Sequence, residues 1–255
     1  MGQPRVCAHR GGAGLAPENT LAACRRSLRA GVRWLEVDVR QTADGVPVLI
    51  HDEAVDRTTD GRGLVRQMTF GQLRTLDAGG WFGEKYRGER VPSLEELLEL
   101  LLQDPGAGAY VEVKGTGPEA ELLTGQVLEM VRRAGLVERV RLASFDAGPL
   151  RTAAQVLPEM VRVALEEPFD TGDPLELVRS RQAHVWGPHH RRAGQQALAT
   201  AHRAQVGVYT WTVNDPQEAV RLWHRGLGQH PEDAVATDFP ERILATLREA
   251  ETGRV

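Results

Sequence analysis

Residues 34–52 read WLEVDVRQTADGVPVLIHD, and the way this run must be laid down decides the fold. Trp34, Glu36 and Asp38 alternate with Leu35, Val37 and Val39, the period-two pattern of a strand with one apolar face. Glu36 and Asp38 therefore share a face inside an apolar run, where two carboxylates repel each other and resist leaving water. A cation must sit between them. The turn signal Ala43-Asp44-Gly45 lets residues 46–50 return as a second strand, and this return delivers His51 to the same end. Two carboxylates and a histidine at one end of a short strand pair have the make-up of an active site.

Outward from this hairpin, strand and helix patterns alternate. Upstream, a strand over 5–8 runs into His9-Arg10-Gly11-Gly12, whose glycines allow the backbone to approach a ligand. A helix over 17–30 follows, with Asn19 or Thr20 as N-cap and Gly31 as its stop; Glu18 and Asn19 read mainly as helix-start residues. Downstream, about 53–91 breaks the rhythm: a turn-rich segment, a short helix over 69–77, then Trp81-Phe82 among glycines. We read it as an inserted subdomain after the second strand region. Past it, Ser93 caps a helix to 103, and strands at 109–113, 140–144, 161–165, 183–186, 206–212 and 234–237 each precede a helix. Eight strand–helix units in 255 residues predict a TIM (β/α)8 barrel, a single domain over 1–255. A doubly wound open sheet is the competing fold, but no dinucleotide-type glycine fingerprint follows the first strand.

Composition narrows the function class. The chain is 41% hydrophobic and 26% charged, with net charge −4, which gives no support for nucleic acid as a partner. Cys7 and Cys24 fall in strand and helix patterns and read as buried small hydrophobes rather than a disulfide or metal site. The first strand begins at Arg5, so no secretory leader is expected, and no apolar run approaches spanning length, so neither is stable membrane insertion. A cytoplasmic location is the expectation.

In a barrel, catalytic groups gather at the C-terminal strand ends. His9, Glu36, Asp38, His51, Glu112 and Lys114 all fall there, as do Ser144-Phe145, Trp211, Asn214 and Thr237-Asp238. Glu36, Asp38 and Glu112 supply hard oxygen donors, a set suited to one divalent cation such as Mg²⁺, Ca²⁺ or Mn²⁺ rather than Zn²⁺. Simple salt bridging by Lys114 and Arg10 is the alternative, but two cations leave three buried carboxylates undercompensated. His9 and His51 form a natural acid–base pair, since histidine titrates near working pH. Arg10 and Lys114 can hold an anion such as a phosphate oxygen, and Lys114 is one of only two lysines in the chain. Trp211 is placed to wall the pocket or to be plain core. Trp81-Phe82 either cap the site or anchor their own loop, and His189-His190-Arg191-Arg192 reads as a solvated basic patch.

These residues resemble the glycerophosphodiester phosphodiesterase family. The likeness lies in His9-Arg10-Gly11, Pro17-Glu18-Asn19-Thr20, Glu36-Val37-Asp38, His51-Asp52 with Asp56-Arg57-Thr58-Thr59, and Leu76-Asp77-Ala78-Gly79. It continues through Pro92-Ser93-Leu94, Glu112-Val113-Lys114, Ser144-Phe145-Asp146, Trp211-Thr212-Val213-Asn214-Asp215 and Thr237-Asp238, nearly the whole chain. The resemblance implies a TIM barrel with an insertion after His51 and a divalent cation on Glu36, Asp38 and Glu112. It further implies His9 and His51 as general acid and base, with Arg10 and Lys114 on the phosphate. The implied reaction is hydrolysis of a small glycerophosphodiester, such as glycerophosphocholine or glycerophosphoethanolamine, to sn-glycerol 3-phosphate and an alcohol. The attacker is water or the substrate's neighbouring hydroxyl, and the second is favoured because it is already positioned. One departure is the run 226–233, Gly-Leu-Gly-Gln-His-Pro-Glu-Asp, where the family has a short Gly-Val-Asp-Gly-like turn. It is expected on the N-terminal side of the barrel, where it bears on oligomer contacts rather than on the metal site. The oligomeric state itself stays open.

Three other readings compete, of which a metal-dependent sugar isomerase or aldolase is disfavoured because no further histidine stands at a metal-ligand position and no Schiff-base lysine is evident apart from Lys114. A lysophospholipase D on the same scaffold needs an apolar path for an acyl chain, and the insertion offers only Trp81, Phe82 and Tyr86. A non-catalytic barrel binding phosphate or polyols is expected to lack a histidine or part of the carboxylate set.

Overall fold

The computed structural model describes residues 2–253 and is a closed barrel. Eight parallel strands form it: β1 (Arg5–Ala8), β2 (Trp34–Gln41), β4 (Gly108–Val113), β5 (Val140–Ser144), β6 (Val161–Leu165), β7 (Val185–Gly187), β8 (Gly207–Thr210) and β9 (Ala234–Thr237). Closure is made by β1, which pairs in parallel with β9 through Arg5 to Ala8 and with β2 through Cys7 and Ala8. A ninth strand, β3 (Pro47–Leu49), pairs antiparallel with the end of β2. Val39 O accepts from Lys114 N–H on the β4 side, and Asp38 O accepts from Ile50 N–H. Alternate carbonyls point to opposite sides of a strand, so β3 extends β2 on the side of β1.

The helices that cover the barrel are α1 (Leu21–Arg29), α3 (Leu94–Gln103), α4 (Gly117–Arg133), α5 (Ala147–Val156), α6 (Pro174–Ser180), α7 (Gln195–Arg203), α8 (Pro216–His224) and α9 (Pro240–Glu251). Their apolar faces meet the outward residues of the strands; Leu35, Val37 and Val39 pack with Leu94, Leu97 and Leu98 of α3. The helix starts carry the chemistry that orphan N–H groups need. Ser93 Oγ accepts from Glu96 N–H at 3.2 Å, while Glu96 Oε2 accepts from Ser93 N–H at 2.9 Å, a reciprocal capping box. No helix among the described residues is long and apolar enough to cross a membrane.

Between β3 and α3, the segment packs a cluster of its own from Val48, Ile50, Val55, Val65, Leu73 and Val91. Its helix α2 covers only Phe70–Leu73, shorter than the sequence pattern predicts. The Asp77 carboxylate accepts from Gly79 and Gly80 N–H at 2.8 Å, and this local turn competes with further helix.

The run 226–233 does lie at the N-terminal end, and there it turns inward. Glu232 takes Arg5 at 2.8 Å and Arg141 at 2.7 Å, and both guanidinium groups lie over the Trp34 ring, 4.5 and 4.7 Å from its centroid. This ion-paired plug closes the barrel at the end opposite the polar rim.

Candidate active site

Strand register assembles the carboxylates. Asp38 of β2 stands directly beside Glu112 of β4, and Glu36 lies two residues earlier on the same inward face. All three are buried, and each offers an oxygen within 4.8 Å of the others. Lys114 continues the inward face of β4, with Nζ 2.9 Å from Asp38 Oδ1 and 2.5 Å from Glu112 Oε1. Arg10, in left-handed backbone (φ 51°), donates its N–H to Glu36 Oε2 at 2.7 Å. Its Nε lies 3.5 Å from Asp38 Oδ2 and is buried without a hydrogen-bond partner.

The charges are unevenly compensated. Burial raises the Asp38 carboxyl, but Lys114 and Arg10 outweigh it and hold Asp38 well below the ordinary range. Glu36 and Glu112 are pushed upward, by burial first and by the charge of Asp38 second. A trio with this deficit, built of hard oxygens, fits a divalent cation. The two protein cations expected from the sequence are both present, and they satisfy Asp38 far better than its neighbours.

The two histidines are held differently. His9 Nδ1 lies 2.6 Å from Asp238 Oδ1, and its Nε2 is 4.0 Å from Glu36 Oε2. Asp238 is fixed in turn by Asn214, whose Nδ2 donates to Oδ2 at 2.7 Å and whose Oδ1 accepts from Asp238 N–H at 2.9 Å. Burial lowers the His9 ring's affinity for a proton, but the Asp238 bond and the Glu36 charge outweigh it and raise His9 above its usual value. His51 Nδ1 lies 2.7 Å from Asp52 Oδ1, and burial holds His51 below its usual value.

Residues that the sequence offered only as helix starts have work here. Thr20 is the N-cap of α1, accepting from Ala23 N–H at 3.2 Å. Asn19 instead holds Asp38, and Glu18 joins Arg10 at 2.9 Å to Arg57 at 2.8 Å. Arg40, on the same strand face as Glu36 and Asp38, donates from Nε to the His51 carbonyl at 2.8 Å. That alternation was readable in the sequence; the reach of Glu18 to Arg57, 39 residues away, was not.

Above these groups lies a cavity of about 560 Å³, with His9, Arg10, Glu36, His51, Glu112 and Lys114 on its polar side. Phe145 and Trp211 form part of the opposite wall, edge to face with centroids 5.5 Å apart. Trp211 is half-buried and lines the cavity, wall rather than core, and its indole N–H donates to Gly187 O at 2.9 Å. His189 packs edge-on against Trp211 and Arg192 pairs with the buried Glu166, so this run is built into the rim and only Arg191 keeps the character of a solvated patch. Trp81 donates to Ala78 O at 3.0 Å and meets Phe82 edge to face, anchoring its own loop outside the cavity wall.

Comparison with known proteins places this geometry. The profile of the glycerophosphoryl diester phosphodiesterase family matches residues 9–242. A glycerophosphodiester phosphodiesterase of Caldanaerobacter subterraneus is 31% identical over 95% of this chain and 97% of its own length. Among solved structures, an Oleispira antarctica phosphodiesterase in complex with the product sn-glycerol 3-phosphate superposes with TM-score 0.88 at 31% identity, over 96% of this chain and 97% of its own. A structure from Silicibacter pomeroyi, described as a glycerophosphoryl diester phosphodiesterase, gives TM-score 0.87 at 30% identity, over 98% and 95%.

Proposed function

Because the chain belongs to the glycerophosphoryl diester phosphodiesterase family, we propose that it hydrolyses small glycerophosphodiesters, such as glycerophosphocholine and glycerophosphoethanolamine, to sn-glycerol 3-phosphate and the free alcohol. The carrying observation is the buried, undercompensated trio Glu36, Asp38 and Glu112, of which Glu36 and Glu112 line one cavity with two carboxylate-held histidines. The trio would hold one divalent cation, Mg²⁺, Ca²⁺ or Mn²⁺, which when bound neutralises phosphodiester charge. Arg10 and Lys114 line the same cavity and add positive charge where the phosphoryl oxygens would lie. Trp211 and Phe145 supply an apolar wall for the carbon skeleton.

The unequal settings of the histidines divide their roles. Asp238 shares its carboxylate between His9 and the neutral Asn214, which favours a proton on His9. Burial already disfavours a proton on His51, and Asp52 shares its own carboxylate with the cationic Arg57, which weakens its pull on that proton. With each Nδ1 committed, each Nε2 is the reacting atom. His51 Nε2 removes the proton from the hydroxyl neighbouring the phosphate, that oxygen bonds to phosphorus, and His9 Nε2 protonates the departing alkoxide. Water then opens the cyclic phosphate with the roles reversed. A substrate with hydrogen in place of that hydroxyl should not turn over, and unchanged hydrolysis would exclude the cyclic route.

The direct test is release of glycerol 3-phosphate from both diesters with and without EDTA, followed by Mg²⁺, Mn²⁺ or Ca²⁺. Release that the cation restores, and that Glu36→Ala and His51→Ala abolish, is the expected result. Release indifferent to thorough chelation would overturn the cation's part in it.

A further inference from the structure

One guanidinium links the two sides of the site. Arg57, in the loop that follows His51, donates to Asp52 from Nε at 2.6 Å and from NH2 at 3.1 Å. The same group donates to Glu18 from NH1 and NH2, both at 2.8 Å. Two carboxylates on two different loops are thus each gripped in bidentate fashion, a geometry that lysine cannot reproduce. Glu18 is buried, with side-chain exposure of 9%, and also takes Arg10 at 2.9 Å. A continuous chain of bonds therefore runs from His51 through Asp52, Arg57 and Glu18 to Arg10.

The consequence for His51 is electrostatic as well as steric. The Asp52 carboxylate accepts from Nδ1–H and so fixes the tautomer, leaving Nε2 free. A carboxylate not shared with a second cation would also stabilise the imidazolium there, as Asp238 does for His9. Arg57 takes up that charge: its bond to Asp52 is the leading reason that Asp52 sits far below its usual value. The remaining charges facing the ring are Asp38, which favours the proton, and Lys114 and Arg10, which oppose it. Arg40 holds the His51 carbonyl.

We propose that Arg57 is a positioning residue: by clamping Asp52 and Glu18 together it aims His51 Nε2 into the cavity and draws the Asp52 charge away from that ring, as the base of the reaction requires. The inference rests on the proposed role of His51. Arg57 touches neither substrate nor reacting atoms and acts through Asp52.

The test is the pH profile of kcat/KM on glycerophosphocholine at saturating divalent cation, for Arg57→Gln, Arg57→Lys and Glu18→Gln. Nitrogen-edited NMR of the imidazole rings in the metal-free proteins accompanies it. Removing the charge in Arg57→Gln should move the acid limb upward by about one pH unit and lower the plateau roughly tenfold. The NMR titration of His51 should shift in the same sense. Arg57→Lys keeps the charge without the double grip, so its limb should stay near wild type while its plateau falls. Glu18→Gln should likewise lower the plateau and leave the limb in place, which keeps the inference testable if Arg57→Gln does not fold. A uniform loss in Arg57→Gln with the limb and the NMR midpoint unmoved would show a merely structural role and overturn the proposal. His51→Ala in the same assay separates the two readings: activity surviving there would sink the base assignment itself.

Discussion

Asn19 grips Asp38 from both sides: its Nδ2 donates to the carboxylate at 2.8 Å, and its Oδ1 accepts the Asp38 backbone N–H at 3.0 Å. It does so from left-handed backbone (φ 56°), a conformation asparagine tolerates better than most residues. Asn19→Ala should lower unfolding free energy by roughly 2–4 kcal/mol, from the lost bond to a buried charge and the strained alanine together. Urea denaturation measures it. A change below about 0.5 kcal/mol would show that water or Arg10 replaces the clamp.

Asp238 should matter in proportion to the leaving group. If it holds His9 ready to protonate an alkoxide, Asp238→Asn should cost about a hundredfold in kcat on glycerophosphocholine. A p-nitrophenyl diester, whose leaving group needs no proton, should lose far less. Equal losses on both substrates would assign Asp238 to the fold rather than to acid catalysis.

The metal-free protein should weaken as the solution becomes less acidic. Glu36 and Glu112 have folded values raised above the unfolded one, by burial and then by Asp38, so their contribution is intact below the unfolded value. It is lost as pH rises from about 4.3, the ordinary glutamate value, through the raised folded values. A divalent cation at about a hundred times its Kd should then restore about 2.7 kcal/mol. Melting curves across pH, with and without Mg²⁺ or Mn²⁺, report both effects, and Glu112→Gln should blunt both. A metal-free protein equally stable at mildly acidic and neutral pH would contradict the undercompensated trio.

Trp211 walls the cavity without touching either histidine's carboxylate, so its removal should be felt in binding. Trp211→Ala is expected to raise KM roughly tenfold with a smaller change in kcat, the worth of one aromatic face. Steady-state kinetics on glycerophosphoethanolamine decide it; a loss confined to kcat would give Trp211 a part in the chemistry instead.

The barrel and the carboxylate trio were legible because alternation alone determines them. In 34–39 and 109–113 a period of two puts Glu36, Asp38 and Glu112 on inward faces, and parallel pairing then brings Asp38 level with Glu112. His9 and His51 were legible as groups at strand ends. Glu18 and Asn19 were misread because the signals that start a helix are the same short polar residues that clamp a site, and only Thr20 turned out to cap. Arg57 was visible as part of a motif, but not its role, since its partners lie on separate loops. Strand β8 stops at Thr210, before the predicted end, where the chain turns and Trp211 offers its carbonyl to His190 N–H at 2.9 Å.

His9 directly follows β1 of the barrel, while His51 follows a strand that packs with the small cluster of Ile50, Val55 and Val91. The two proposed acid–base groups thus rest on different supports, the barrel wall and the end of the β2–β3 hairpin, whose Leu49 still packs into the barrel's outer core. Under the proposed mechanism, substitutions within residues 53–91 should reach His51 while leaving the support of His9 in place.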